Sequence, residues 1–450
     1  MRRTGHARAL LSLLAALTLG KPADAKADAE ASAPRGVATG DVSYANAIAT
    51  ISLDEALRIF RARNFDLVVS EAAVTGAEGD LLAARALPNP NALVAWQSLI
   101  TTRAPGQAGS GLLAQLGDNA AIESTISGKR SLKRAIAQAA LAAQKMQRRD
   151  AQRLLEATVK NAYVTQAASV GLLRFSKESQ AFSTRLLELS RVRTPMVINE
   201  GQLALVEVDK TQADIAVLQA ESALEQSRAA LAFLLGAQST DVAYDVEPML
   251  RYQVPPELAN ADATRLVQLA LEHRADLAAF RFAAERARKT STLVGRQVFP
   301  DVALSVQYTQ LGTDPTSVQP PMITVGATFN VPVFYQLQGE KRRAEADITT
   351  QTALTNKAMA QIVSDVRTAL ATFQSTRRIV EIIEGTQLSA AKRARDVAEV
   401  QWRAGTASLL ELLVAARQYV ATNQVYWVAL ETYWSSIFAL EQAVGTDMRR

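Results

Sequence analysis

Two carboxylates occupy matching places in two similar stretches of this chain. Glu207 follows Gly201 by six residues, and Glu411 follows Gly405 by six. Each glycine marks a turn between helical stretches, Ile198-Asn199-Glu200-Gly201 in one case and Gln401-Trp402-Arg403-Ala404-Gly405 in the other. A lone acid on a helix is ordinarily a solvated surface charge. Little else in the sequence offers chemistry. There is no cysteine, hence no disulfide framework and no thiolate metal site. The two histidines, His6 and His273, nearly exclude a histidine-built metal centre within one chain. His273 precedes Arg274 near a helix boundary, which suits a solvated or capping role. GxxxxGK[ST] and HExxH are both absent. The expectation is a protein with no catalytic residues, no metal and no cofactor, so not an enzyme.

The acids are placed by elements that occur twice. Asn64-Phe65-Asp66-Leu67 opens a run that ends at Leu87-Pro88-Asn89-Pro90, and His273-Arg274-Ala275-Asp276-Leu277 opens one that ends at Phe299-Pro300. Asp66 to Pro90 and Asp276 to Pro300 both span 24 positions, an offset of 210 at each end. Gly128-Lys129-Arg130 matches Gly339-Glu340-Lys341-Arg342 at an offset of 211. A shared offset over so long a stretch means one unit used twice. The halves are read as 51–236 and 261–446, joined by a proline-containing connector, 237–260, that packs around the outside of the helices.

Each half reads as helix, strands, long helix, turn and return helix. Ser52-Leu53-Asp54-Glu55 is a capping-box start for a helix expected to run to about Ala86. After Pro300 the alternation is clean: Val302, Leu304, Val306 and Tyr308 share one face, then Ile323, Val325, Ala327, Phe329, Val331 and Val333. This predicts a hairpin over about 301–333. The first half repeats its opening strand in Ala92, Val94 and Trp96, with a weaker partner around Ala120 to Ile126, so a hairpin over about 90–127. Lys129–Arg193 and Glu340–Ala404 are each 65 residues without proline, interrupted only by Gly171 and by Gly385. At ~1.5 Å per residue each rod would be roughly 95 Å long, more than a compact domain needs, and implies a coiled coil or helical tube. The second return helix carries an apolar stripe through Leu409, Leu412, Leu413, Ala416, Val420, Trp427, Leu430, Trp434 and Ile437, which reads as packing.

The ends and the charge bound the setting. The formal charge is +5. Residues 1–25 hold Arg2, Arg3, Arg8 and Lys21 against Asp24, a net +3, which leaves 5 − 3 = +2 for the rest, too little to argue for nucleic acid. Those 25 residues read as a signal peptide, with a basic start, an apolar Ala9–Leu19 and a small-x-small site at Ala23-Asp24-Ala25. Residues 26–50 read as a loose tail. No later window has ~18 uncharged apolar residues for a membrane-spanning helix, whereas strands of a barrel would leave a weaker trace.

Taken together this arrangement resembles the TolC family of outer-membrane efflux channels. Leu53-Asp54-Glu55-Ala56-Leu57 with Asn64-Phe65-Asp66-Leu67 is similar to the family's opening helix, and Leu87-Pro88-Asn89-Pro90 to its entry into the first strand. Val331-Pro332-Val333-Phe334 with Gln338-Gly339-Glu340 is similar to its exit from the last strand. Ala404-Gly405-Thr406-Ala407-Ser408-Leu409-Leu410-Glu411-Leu412-Leu413 is similar to its periplasmic turn. Leu87-Pro88-Asn89-Pro90 and Gln338-Gly339-Glu340 lean toward the branch containing the heavy-metal efflux channels. The resemblance implies an α+β, mostly α fold, in which three chains with four strands each close a twelve-stranded outer-membrane β-barrel continued by a coiled-coil α-helical barrel. It also implies a homotrimer working with a periplasmic adaptor and an inner-membrane pump of the RND type. Val94, Trp96, Val302, Leu304, Val306, Tyr308, Ile323, Val325 and Phe329 would face outer-membrane lipid. Glu207, Glu411 and Trp402 would form the periplasmic gate, and Gly201, Gly405, Thr406, Ser408 and Leu409 would meet the adaptor. The family's further gate acids and its paired basic residue are not evident, since Ala407 and Val414 are neutral. A periplasmic adaptor would carry one helical hairpin flanked by β domains, and a soluble coiled-coil scaffold would need neither an export signal nor one-sided apolar strands.

Overall fold

The computed structural model describes residues 49–98, 110–193, 199–238, 244–247, 250–259, 261–312 and 319–448, all within one compact unit, Asn46–Arg450. The expected signal peptide and most of the expected tail lie outside the described residues.

The first half contains β1 (Ala49–Ile51), α1 (Leu53–Arg63), α2 (Phe65–Arg85), β2 (Asn91–Ser98), β3 (Ser110–Gly117), α3 (Ala121–Ile126), α4 (Lys129–Arg193) and α5 (Glu200–Leu234). β4 (Tyr244–Val246) follows. The second half contains α6 (Ala263–His273), α7 (Ala275–Arg296), β5 (Val302–Leu311), β6 (Met322–Phe329), α8 (Gln338–Ile382), a π-helical turn at Ile383–Gln387, α9 (Leu388–Ala404) and α10 (Leu409–Val444).

The helix expected from Ser52 to Ala86 is two helices. Ser52 caps the first, its Oγ accepting from Glu55 N at 3.3 Å. Asn64, at φ −65° and ψ 130°, ends α1 and caps α2. Its Oδ1 accepts from the amides of Asp66 and Leu67, and its Nδ2 donates to Leu234 O at 2.9 Å. Sequence reasoning missed this break because helix-forming residues flank it on both sides. The second half builds the same corner from different chemistry. Arg274 takes the place of Asn64, donating to Asp276, to Asp365 at 2.9 Å and to Ala443 O at 3.3 Å. Gly236 and Gly445 close the two corners at φ 77° and 84°. A Cβ on Gly236 would lie 2.6 Å from Arg63 O.

Burial alone would push the Asp276 carboxyl up, but the hydrogen bonds and charge of Arg274 outweigh it and hold the group below its usual value. A carboxyl depressed by folding adds stability above its unfolded pKa of ~3.9 and loses it as pH falls through the folded value. Below about pH 4 the thermal midpoint should therefore fall. An Asp276→Asn chain should show a shallower fall over that window, and an unchanged slope would remove Asp276 from the acid response.

Rod α4 is one unbroken 65-residue helix, as its proline-free sequence predicts. The second rod runs from Gln338 to Ala404 and takes up a π-turn around Gly385. Such a turn is one residue out of α-helical register.

The sheet has the order β2-β3-β5-β6, antiparallel throughout. The register stacks one apolar face across it: Val94 opposite Ala114, Trp96 opposite Leu112, Leu116 opposite Val306, and Val306 opposite Val325. Tyr308 faces Ile323, and Val302 faces Phe329. Two expectations fail here. The partner of β2 is Ser110–Gly117, not Ala120–Ile126, which is the short helix α3. Asn119 and Ala120, at φ 50° and 58°, turn the chain out of the sheet, and Asp118 pins the turn by accepting from Ala120 N and Leu304 N. The second hairpin ends at Phe329, so Val331 and Val333 lie beyond the sheet.

Two cores serve the two halves. One gathers Ile51, Phe60, Val159, Leu231 and Tyr244; the other Leu277, Ile362, Phe373, Tyr433 and Ile437. The connector adds β4 alongside β1 in parallel and packs on the helices. Tyr433 Oη donates to Gln253 O, and Trp434 Nε1 to Arg251 O.

Candidate functional site

The helical hairpins end in two unlike tips. In the second half α9 stops at Gly405, whose φ of 76° is the left-handed conformation that ends a helix without strain on a Cβ. Thr406 returns its N–H and its hydroxyl to Gln401 O. Ser408 then starts α10, its Oγ accepting from Glu411 N at 3.2 Å. In the first half residues 194–198 lie outside the described region, and Asn199 caps α5 through a capping box with Gln202. Gly201, expected to mark the turn between helices, is not at positive φ and sits in the first turn of α5.

The expected gate residues differ in exposure. Trp402 is only 4% exposed. It packs with Leu186 and Leu187 of α4, Val206 of α5, and Leu409, Leu412 and Leu413 of α10, so it binds all four helices near the tips. Glu411 is exposed and makes no ion pair among the described residues. Glu207 is also exposed but pairs with Arg191 of its own hairpin at 3.1 Å. Of the expected adaptor contacts, Gly201, Gly405, Thr406 and Ser408 are exposed, whereas Leu409 is buried in the tip core. Leu410 beside it is the exposed leucine.

The structure adds a link that sequence reasoning missed. Arg417 of α10 grips Asp209 of α5, with Nη2 to Oδ1 at 2.7 Å and Nε to the same oxygen at 3.0 Å. It joins the two hairpins of the chain. Sequence spacing carries no signal for it, because the partners lie 208 positions apart. Nearby, the Arg395 guanidinium lies 4.3 Å from the Tyr419 ring and 5.7 Å from that of Phe182. These groups line a cavity of about 270 Å³ between α4, α5, α9 and α10.

At the other end lies the sheet. Its four strands contain no charged residue. Val94, Trp96, Leu304, Val306, Ile323, Val325 and Phe329 are exposed, and Val302 and Tyr308 are half-buried on the same face. Among the described residues no helix is long and apolar enough to cross a membrane, and no cluster of His, Cys, Asp or Glu is arranged to hold a metal.

Residues 266–446 match the family described as outer membrane efflux protein. No curated protein matches the chain in sequence. Among solved structures, it shares its fold with VceC of Vibrio cholerae (TM-score 0.73, 20% identity, 88% of this chain and 96% of that one). It is similar to MtrE of Neisseria gonorrhoeae in its open state (0.73, 18%, 88% and 90%) and to CusC (0.72, 17%, 88% and 92%).

Proposed function

We propose, from the match of residues 266–446 to the outer membrane efflux protein family and the fold shared with solved outer-membrane channels, that this protein is the exit duct of a tripartite efflux system. Three copies form the duct in the outer membrane. It is passive, receives cargo from an inner-membrane pump through a periplasmic adaptor, and opens at its helical tips.

The observation that carries this is the sheet. A charge-free sheet with one exposed apolar face is suited to lipid, yet β2 and β6 leave their outer edges unpaired. Open edges in hydrocarbon cost several kcal/mol per unsatisfied group. Strand directions alternate across the four, so β6 of one copy meets β2 of the next antiparallel. Four strands are too few to close, and three copies give twelve, within the size range of outer-membrane barrels. The test is the mass of the particle extracted from the outer membrane in detergent. Three chains are expected. A monomer released without detergent would overturn the reading.

At the tips, the Asp209–Arg417 pair supports a latch between the hairpins. An exposed pair is worth ~0.5–1 kcal/mol. Three pairs releasing together shift the open–closed ratio on the order of 10- to 100-fold. Arg417→Ala should raise the open fraction of single channels accordingly, and an unchanged open fraction would discard the latch. Glu411 carries the cation preference of the mouth more than Glu207, whose charge Arg191 offsets. Glu411→Gln should therefore move the reversal potential in a salt gradient toward zero by more than Glu207→Gln does.

A further inference from the structure

Helix α3, Ala121–Ile126, lies against the foot of β5 and leaves a groove of about 290 Å³ lined by Ile122, Glu123, Ile126, Ser127, Val302 and Leu304. Ile126 is 81% exposed, and Val302 and Leu304 belong to the apolar face of the sheet. β5 is an inner strand of the four, away from the edges where copies would join. An apolar groove on that face opens to lipid.

The polar end of the groove is incomplete. Arg296 donates from Nη1 to Ser127 O at 2.7 Å and makes no ion pair among the described residues. Gly128, at φ 74°, keeps space for it, since a Cβ there would come 3.2 Å from Nη1. The neighbouring acids are already engaged: Lys129 Nζ, almost fully buried, binds Glu123 at 3.2 Å, Asp301 at 2.8 Å and Phe299 O at 2.7 Å. Two buried atoms of the lining, Ser127 Oγ and Glu123 Oε2, find no hydrogen-bond partner. The site thus holds an exposed guanidinium at the mouth of an apolar slot, with the Ser127 hydroxyl and one Glu123 carboxylate oxygen buried behind it.

The start of α4 adds a second, independent sign. Beyond the paired Lys129 it carries Arg130, Lys133 and Arg134, with no acid in the first turn. Basic residues at a helix N-terminus oppose its macrodipole. A nearby anionic surface reverses that penalty.

We propose that this groove binds one anionic glycerophospholipid, from the leaflet on the helical side of the membrane. An acyl chain lies along Ile122, Ile126, Val302 and Leu304. The phosphate meets the exposed Arg296 guanidinium. The inference rests on the barrel reading of the sheet.

The test is lipid retention by the full-length assembly in detergent, read by native mass spectrometry with phosphatidylglycerol and with phosphatidylcholine. Phosphatidylglycerol should be retained preferentially. Arg296→Gln should lower its retention about fivefold and that of phosphatidylcholine less, because the cationic choline already opposes the guanidinium. Arg296→Lys should keep most of the preference, and Ile126→Ser should weaken both lipids. Equal retention of the two lipids by the unaltered protein would overturn the site. So would an unaltered preference in Arg296→Gln, or loss of both lipids in Arg296→Lys, which would make Arg296 a purely structural contact to Ser127. Planar-bilayer recordings in phosphatidylcholine and, separately, in phosphatidylglycerol separate the two readings. Channels that form there while lipid preference is absent refute the site only; failure to form channels in either lipid refutes the barrel and the site with it.

Discussion

Replacing Gly171 by alanine should lower the thermal midpoint of the assembled protein, although alanine is the better helix former by ~1 kcal/mol. A Cβ at this position would fall 2.4 Å from two ring carbons of Trp427 and 2.8 Å from a third. Trp427 belongs to α10 and Gly171 to α4, so the glycine is the seat through which the two halves approach each other. Overpacking of this kind costs ~1–3 kcal/mol, which exceeds the gain in propensity. Leucine at 171 should cost more. The paired variant Gly171→Ala/Trp427→Leu should recover much of the loss, because the clash needs both partners. A midpoint that stays level or rises in Gly171→Ala alone would mean that the indole does not rest on the glycine.

The second large effect is expected at Lys160 and Glu441. Lys160 Nζ lies 2.5 Å from Glu441 Oε2, both side chains are buried, and Glu441 Oε1 also accepts from Met448 N. The pair ties the first rod to the last helix and to the residues after it. Removing one member strands the other charge in a poorly solvated place, at ~3–5 kcal/mol. Lys160→Met and Glu441→Leu should each destabilise strongly. The double variant should return to near the starting stability, since an apolar pair of similar size removes both desolvation costs. Thermal denaturation of the four proteins as a double-mutant cycle decides it. Additive losses would show that the two residues act separately.

How much of this was legible in the sequence depended on whether the signal was local. The rods were legible because 65 proline-free residues leave few alternatives, and β5 was legible because apolar and polar residues alternate along it. β3 was not: Ser110-Gly111 and Gly117 dilute its pattern, and only Leu112, Ala114 and Leu116 remain to mark the face. The break at Asn64 was half legible: Asn64-Phe65-Asp66-Leu67 opens the repeated run, but helix formers on both sides let the two helices read as one, and the anchoring hydrogen bond to Leu234 O comes from 170 residues away. The tips show the same divide. The capping roles of Asn199 and Ser408 follow from residue type, but no spacing rule announces that Arg417 meets Asp209 across the halves. Leu409 and Leu410 look alike in sequence, and only the packing of Trp402 separates the buried one from the exposed one.

The alternating strand directions carry a consequence for ancestry. Each half of the chain contributes an even number of strands, one up and one down, together with its own rod and return helix. A wall made from such units closes correctly however many of them are fused into one polypeptide. On the proposed trimer, six single-unit chains would close the same ring as three double ones. Fusion would therefore cost nothing in closure, and it would free the two units of one gene to differ. The unlike corners at Asn64 and Arg274, and the unlike surroundings of Glu207 and Glu411, are such differences: they make the two units of one chain unequal.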